Sequence, residues 1–279
     1  DAAGIGGVLA MAVFYVLPLL LVLPVLAWRF RHFLATDLAF HLTAIAAAVS
    51  LALYALSFLL TDVVRAMLLY YMTPVWSGLM ARFWLGEAIT PARLVSFGLG
   101  FLGLAAIFGA DMGVPLPRNL GDWISLASGV IWAVAVVMMR RGFRGDPVEL
   151  TLAYFIYGSL FAAILVFLLP GHTGGGLPHV ARLGTDLLWL VPVIGLLVIP
   201  TVYAVMWGSP KLNPGTVGIL FMTEISVGAT TAWLWAGEPF GLRELTGVIL
   251  ITAAGLAETV AEIFLSRGTT AVRLEGPVP

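Results

Sequence analysis

Cysteine is absent from the 279 residues, which removes disulfides, thiolate metal sites and cysteine nucleophiles together and leaves the redox compartment unmarked. Lysine is nearly absent as well: Lys211 is the only one among 14 basic residues, and the net charge is −1. No basic field of the kind that nucleic acid requires is present. Charged residues of both signs make up only 10% of the chain, against roughly 25% in an ordinary soluble domain. What fills the space is apolar: 61% hydrophobic residues and a mean hydropathy of +1.03. A soluble chain of this length could not bury that much apolar surface. The first residue is Asp1, and no positively charged leader with a cleavage site precedes the first apolar run. The natural chain is therefore expected to extend upstream.

A hydrocarbon core about 30 Å thick needs about 20 apolar helical residues to cross it. Runs of that kind recur near 4–28, 39–60, 63–84, 92–110, 122–139, 149–169, 185–207, 214–235 and 244–265, nine in all. The breaks carry turn-forming residues, as in Arg29 to Asp37, Gly86 to Pro91, Gly113 to Gly121, Arg140 to Pro147, Pro170 to Gly176, Ser209 to Pro214 and Gly237 to Gly241. None is long enough to hold a soluble domain. Pro18, Pro24, Pro74, Pro192 and Pro200 fall inside spans, where they are expected to kink or break the helix.

Positive charge accumulates in short cytoplasmic loops. With the C-terminus inside, ten basic residues fall on the inner side: Arg29, Arg31, Arg82, Arg93, Arg140, Arg141, Arg144, Lys211, Arg267 and Arg273. Four fall outside, Arg65, Arg118, Arg182 and Arg243. Nine spans then put Asp1 on the outer side, so one helix is expected upstream of it.

An internal repeat points the same way. Leu53-Tyr54-Ala55-Leu56 with Phe58 recurs as Val202-Tyr203-Ala204-Val205 with Trp207. Met72-Thr73-Pro74 recurs as Met222-Thr223-Glu224, and Gly86-Glu87 as Gly237-Glu238. The offsets are 149, 150 and 151 residues, in register along three successive segments. The reading is an all-α integral membrane protein of ten helices in two repeats of five. Residues 1–111 form the N-terminal repeat without its first helix, 122–267 the C-terminal repeat, and 268–279 a cytoplasmic tail. An odd number of helices per repeat inverts one half in the membrane, an arrangement found in secondary transporters with a midplane site between the halves.

These residues resemble the drug/metabolite transporter superfamily, EamA type. The stretch Ala55 to Ala106 is similar to that family's third to fifth helices, with Tyr70-Tyr71-Met72-Thr73-Pro74 in the fourth and Leu85-Gly86-Glu87 closing it. The pattern returns from Tyr203 to Gly255, with Gly237-Glu238 and the Gly247 and Gly255 pair. Within the family, the chain looks most like bacterial exporters of the YddG kind, which release aromatic and other amino acids. The resemblance implies both termini in the cytoplasm, a bacterial inner membrane and a central cavity lined by helices one, three, four, six, eight and nine. It also implies peripheral fifth and tenth helices and no cofactor. Glu224 departs from the pattern, standing where the first half has Pro74 and where the family often keeps proline.

Several residues could line such a cavity. Glu224 lies near mid-span, where a charged carboxylate costs at least a few kcal/mol unless it faces water or a partner. It either titrates or binds a substrate amine, or it is a hydrogen-bonded acid that fixes packing. Phe221 precedes it by about one turn. Tyr54 with Phe58, and Tyr203 with Trp207, are repeat-related pairs spaced to share a helix face. Their rings could stack on a planar substrate, or pack ordinarily. Tyr70 and Tyr71 diverge by about 100° on a helix, so one of the two is expected to face the cavity. Trp132 sits mid-helix, at a place where the family's first and sixth helices often carry tryptophan.

Other polar residues read as structural. Glu258, Glu262 and Arg267 form an interfacial charge cluster, Glu87 and Glu238 end helices, Arg65 snorkels to the outer interface, and His41 is interfacial. His172 and His179 lie seven residues apart without the neighbours that would complete a metal site. Gly98, Gly100, Gly103, Gly215 and Gly218 allow close helix packing.

The leading function is secondary export of small metabolites, amino acids including aromatic ones, by alternating access. The partners are a small-molecule substrate and the lipid bilayer, with protons as an open coupling ion and a monomer or homodimer as the assembly. A multidrug efflux carrier or a passive uniporter on the same fold are the alternatives. An enzyme is not expected: Trp76-Ser77-Gly78 puts a serine in a span, but no later span supplies a histidine base.

Overall fold

A computed structural model of the chain describes residues 7–108, 116–142, 145–170, 190–236 and 240–257. Every regular element among them is helical, as expected where each backbone N–H and C=O must be satisfied within its own segment. The helices are α1 (Gly7–Leu34), α2 (Leu38–Leu60), α3 (Val63–Tyr70), α4 (Thr73–Met80), α5 (Pro91–Phe108), α6 (Leu120–Gly142) and α7 (Pro147–Leu168). Then come α8 (Leu190–Lys211), α9 (Pro214–Thr231) and α10 (242–257). Seven helical stretches among the described residues are long and apolar enough to cross a membrane: α1, α2, α5, α6, α7, α8 and α9 with its continuation to Trp235. The ninth expected span is helical over 242–257, and its remainder lies outside the described residues.

Three sequence expectations change. The span at 63–84 is not one helix but α3, a turn at Tyr71-Met72, α4 and a π turn at Ala81–Leu85. Pro74 is the cause. It has no N–H to bond the Tyr70 carbonyl one turn back, and the Thr73 hydroxyl donates to that carbonyl instead. The break expected to start at Arg29 begins later, because α1 continues through Leu34. It stops where the Thr36 hydroxyl donates to Phe33 O (2.7 Å) and the Asp37 carboxylate caps α2 by accepting from Phe40 N–H (2.8 Å). Pro18 and Pro24 do not interrupt α1. By contrast, Pro192 and Pro200 flank a π turn, Ile194–Val198, within α8.

The chain folds as two compact units, each drawing on both halves of the sequence. Unit 1 comprises Asp1–Thr73 and Leu116–Asn213; unit 2 comprises Pro74–Pro115 and Pro214–Pro279. In unit 1, α6 packs on α2 and α3, and α7 packs on α1, α2 and α8. Small and hydroxylated residues make the approach possible. Ser50 Oγ donates to Ser128 O (2.8 Å), and Ser125 Oγ donates to Ala66 O (2.6 Å). Tyr15 OH donates to Ala48 O (3.2 Å) and accepts from Tyr154 OH (3.3 Å), with Gly158 leaving room for the Tyr15 ring.

Unit 2 is joined by glycine. A Cβ on Gly103 would lie 2.9 Å from Gly247 O, and one on Gly247 would lie 2.8 Å from Gly103 O, so α5 and α10 touch backbone to backbone. Gly100 faces Met222 Sδ and Gly218 faces Pro74 Cα, each at 2.7 Å from the position a Cβ would take. Arg243 Nε donates to Ala106 O (2.8 Å). Gly100, Gly103 and Gly218 thus serve packing, whereas Gly98 meets open space.

Candidate functional site

Four of the expected site residues meet in unit 1. Tyr54, in the last third of α2, stacks on Tyr70 with ring centroids 3.9 Å apart and planes 19° apart. Phe58, one turn further along α2, lies 4.6 Å from Tyr54. Tyr71 sits edge-on to Tyr70 at 5.4 Å and to Tyr54 at 6.5 Å. Tyr70 and Tyr71 are both buried, and α3 ends between them. Gly129 of α6 lies under this break, where a Cβ would come 2.8 Å from Tyr70 O and 2.9 Å from Thr73 Oγ1.

Two helices' worth of polar contacts hold α3 in that place. Arg65, near its start, pairs with Asp122 of α6. Asp122 is fully buried and also accepts from Thr61 Oγ1 (2.7 Å) and Arg118 N–H (2.9 Å). Arg65 donates further to Leu116 O (3.1 Å), and Asn119 Nδ2 donates to Thr61 Oγ1 (2.9 Å). Asp122, Ser125 and Gly129 are spaced to share one face of α6, and their successive contacts fall on Arg65, Ala66 and Tyr70. Trp132 continues that spacing and is fully buried. Arg65 is thus not a snorkelling interfacial side chain; its charge is neutralised within the unit.

The repeat-related residues on α8 meet a different environment. Tyr203 is 39% exposed and Trp207 is 50% exposed. The Lys211 ammonium lies 3.2 Å from the centroid of the Trp207 ring. Arg140 Nη1 donates to the carbonyls of Pro210 and Lys211, both at 3.3 Å, and closes the end of α8. In unit 2, Phe221 is half-buried and Glu224 is exposed, in the middle of α9.

Two charge clusters were not singled out from the sequence. One is the Arg65–Asp122 network. The other joins α1 to α7, where Arg29 Nη2 pairs with Asp146 Oδ2 and Arg29 Nε with Glu149 Oε1, both at 2.9 Å. Glu149 is buried. Both were visible as helix-start signatures, Asn119-x-x-Asp122 and Asp146-x-x-Glu149. The first behaves as one, since Asp122 N–H donates to Asn119 Oδ1 (2.8 Å) while the Asp122 carboxylate accepts from Arg118 N–H. In the second, Asp146 caps by accepting from Val148 N–H (2.9 Å), but Glu149 turns to Arg29. Burial pushes the Asp146 carboxyl up, yet the Val148 N–H and the Arg29 guanidinium together hold it below its ordinary value.

His41 is half-buried and bonded at both ring nitrogens, to Thr36 Oγ1 (2.9 Å) and Tyr157 OH (2.8 Å). Because the Thr36 hydroxyl already donates to Phe33 O, it accepts from His41 Nε2–H, which fixes the tautomer of the neutral ring. Ser77 Oγ donates to Pro74 O (3.2 Å). Glu238, Glu258, Glu262, Arg267, His172 and His179 lie outside the described residues.

Buried aromatic and ionic clusters on apolar helices of membrane-crossing length make this a multi-pass helical membrane protein. It belongs to the EamA-like transporter family, whose model matches residues 119–257, and so to the EamA type of the drug/metabolite transporter superfamily. It is 28% identical over 188 residues to a Bacillus subtilis (strain 168) protein described as the uncharacterized transporter YvbV; the match covers 66% of this chain and 59% of that relative. A solved crystal structure of another protein shares the fold, with a TM-score of 0.75 at 19% identity, covering 94% of this chain and 90% of that one.

Proposed function

We propose that the protein is a secondary transporter that exports small metabolites, amino acids including aromatic ones, by alternating access, in the manner of YddG-type exporters. The observation that carries this reading is the interruption between α3 and α4, ringed by Tyr54, Phe58, Tyr70 and Tyr71. Discontinuous helices free backbone groups at membrane depth, and transporters use such breaks at substrate sites. Glu224 supports it from unit 2, since an ionisable residue in the middle of a membrane-crossing helix is by default a candidate for function. Its task in this reading is to take a proton or a substrate amine. Tyr203, Trp207, Phe221 and Trp132 complete the set assigned to substrate handling.

The reading includes two inverted halves, residues 1–111 and 122–267, with the basic ends of the helices at the cytoplasmic face of a bacterial inner membrane and both termini inside. A monomer or homodimer suffices for it, with no part for nucleic acid or a cofactor.

Proteoliposomes loaded with radiolabelled phenylalanine, tryptophan or alanine test it, with and without an imposed pH gradient. Saturable movement of the aromatic amino acids is expected. Movement independent of the gradient would assign a passive uniporter, and movement of lipophilic cations alone a multidrug carrier. Glu224→Gln is expected to slow transport and flatten its pH dependence. An unchanged rate and profile in that variant would remove Glu224 from the mechanism.

A further inference from the structure

Trp207 and Lys211 form an arrangement that packing alone does not call for. The chain has one lysine, and its ammonium lies 3.2 Å above the indole of a half-exposed tryptophan. Among the described residues that ammonium forms no ion pair. Indole is the strongest of the aromatic faces for a cation, and the exposed Lys211 ammonium, compact and strongly hydrated by nature, nevertheless lies over the Trp207 ring. The position is also built rather than incidental. The α8 helix tightens into a 3-10 turn over Ser209–Lys211, and Arg140 holds the carbonyls of Pro210 and Lys211, which sets where the lysine stem begins. Tyr203 stands one turn back on the same helix, exposed like Trp207, with a phenol able to meet the polar edge of a ligand.

We propose that the Trp207 face is a binding site for an organic ammonium group, and that Lys211 occupies it as a tethered stand-in which a ligand amine displaces. The ligand class is a primary ammonium on an aromatic or aliphatic body: the charge takes the place of Nζ over the indole, and the body lies toward Tyr203. This assignment rests on the proposed export of amino acids and says which end of the substrate Trp207 receives. The tether has a consequence for affinity. A ligand must compete with Lys211, so Lys211→Gln binds amines more tightly, by roughly three- to fivefold on the scale of an exposed cation–π contact. An anionic lipid headgroup is the other chemistry a lysine could meet; here the ammonium is turned onto the ring.

The solitary lysine makes the test direct. The full chain in detergent is reductively methylated with 13C-formaldehyde, and the dimethyl-lysine signal, assigned by its loss in Lys211→Arg, is followed by NMR. Expected is a signal shifted upfield by the indole ring current, with the shift abolished in Trp207→Leu and reduced in Trp207→Tyr, the second variant covering a failure of the first to fold. Added 2-phenylethylammonium should move it saturably toward the free position, while neutral 2-phenylethanol and phosphatidylglycerol micelles should not. Absence of the upfield shift overturns the proposal. So does a signal unmoved by saturating amine, or one moved equally by the alcohol or by phosphatidylglycerol. None of these readouts involves transport, so displacement without amino-acid movement would sink the transport reading alone.

Discussion

Tyr54 with Phe58 on α2 and Tyr203 with Trp207 on α8 hold equivalent places in the sequence repeat, 149 residues apart, yet their surroundings differ in kind. The Tyr54 ring is buried and covered by another aromatic, Tyr70. The Trp207 ring is half exposed and covered by a cation. The difference originates outside the repeat-related residues themselves. Tyr70 reaches Tyr54 because α3 is short, is pinned to α6 through Arg65 and Asp122, and ends on Gly129. Lys211 reaches Trp207 because α8 ends in a 3-10 turn tied to Arg140. The repeat therefore presents an aromatic pair twice, and the neighbours decide which member is covered and by what: Tyr54 of the first pair by Tyr70, and Trp207, the counterpart of Phe58, by Lys211.

The comparison breaks most easily at the pin. Asp122→Asn leaves the mostly buried Arg65 without its counter-charge and is expected to lower stability by about 3 kcal/mol, the scale of a broken buried pair, read as a loss in thermal midpoint in detergent. Gly129→Val pushes a side chain into the Tyr70 carbonyl and should cost about 1–3 kcal/mol, as overpacking does, with the tyrosine near-ultraviolet dichroism reduced. Tyr70→Leu removes the stacked ring at an expected cost of about 1 kcal/mol beyond lost burial. Trp207→Leu on the other face should change stability by less than about 0.5 kcal/mol, as exposed substitutions do. Equal effects of these two would show that the faces are alike after all.

The smallest effect is at Asp146. Its carboxyl is held below the ordinary value in the folded chain, so its contribution is present above the unfolded value and disappears as pH falls through the lowered folded one. Asp146→Asn should remove that acid-dependent part of stability and, for a pair this exposed, little else.

The helices were legible because apolar runs of membrane-crossing length leave few alternatives. Their ends were less so. Pro74 read as a kink within one span, while the actual division into α3 and α4 depends on Thr73 satisfying the Tyr70 carbonyl and on Gly129 accepting the turn against it, two facts of different helices. Within the site, spacing found Tyr54 and Phe58 on one face. It could not find that Tyr54 would be stacked on Tyr70, which is set by how α3 lies on α6. The pairing of Arg65 with Asp122 was hidden for the same reason: 57 residues separate them in sequence, and neither alone reads as more than an interfacial charge. Lys211 over Trp207 is the reverse case. The spacing was on view, but the solitary lysine gained meaning only from the ring beneath it.

The two polar clusters of α6 also act as a ruler. From Asp122, in its first turn, to Arg140, near its last, the helix rises about 27 Å at about 1.5 Å per residue, close to the hydrocarbon thickness of an average bilayer. Unit 1 is thereby cut to one thickness of lipid. A hydrocarbon layer thicker than that span would bring one of these two polar ends against lipid, so the stability of unit 1 should depend on acyl-chain length.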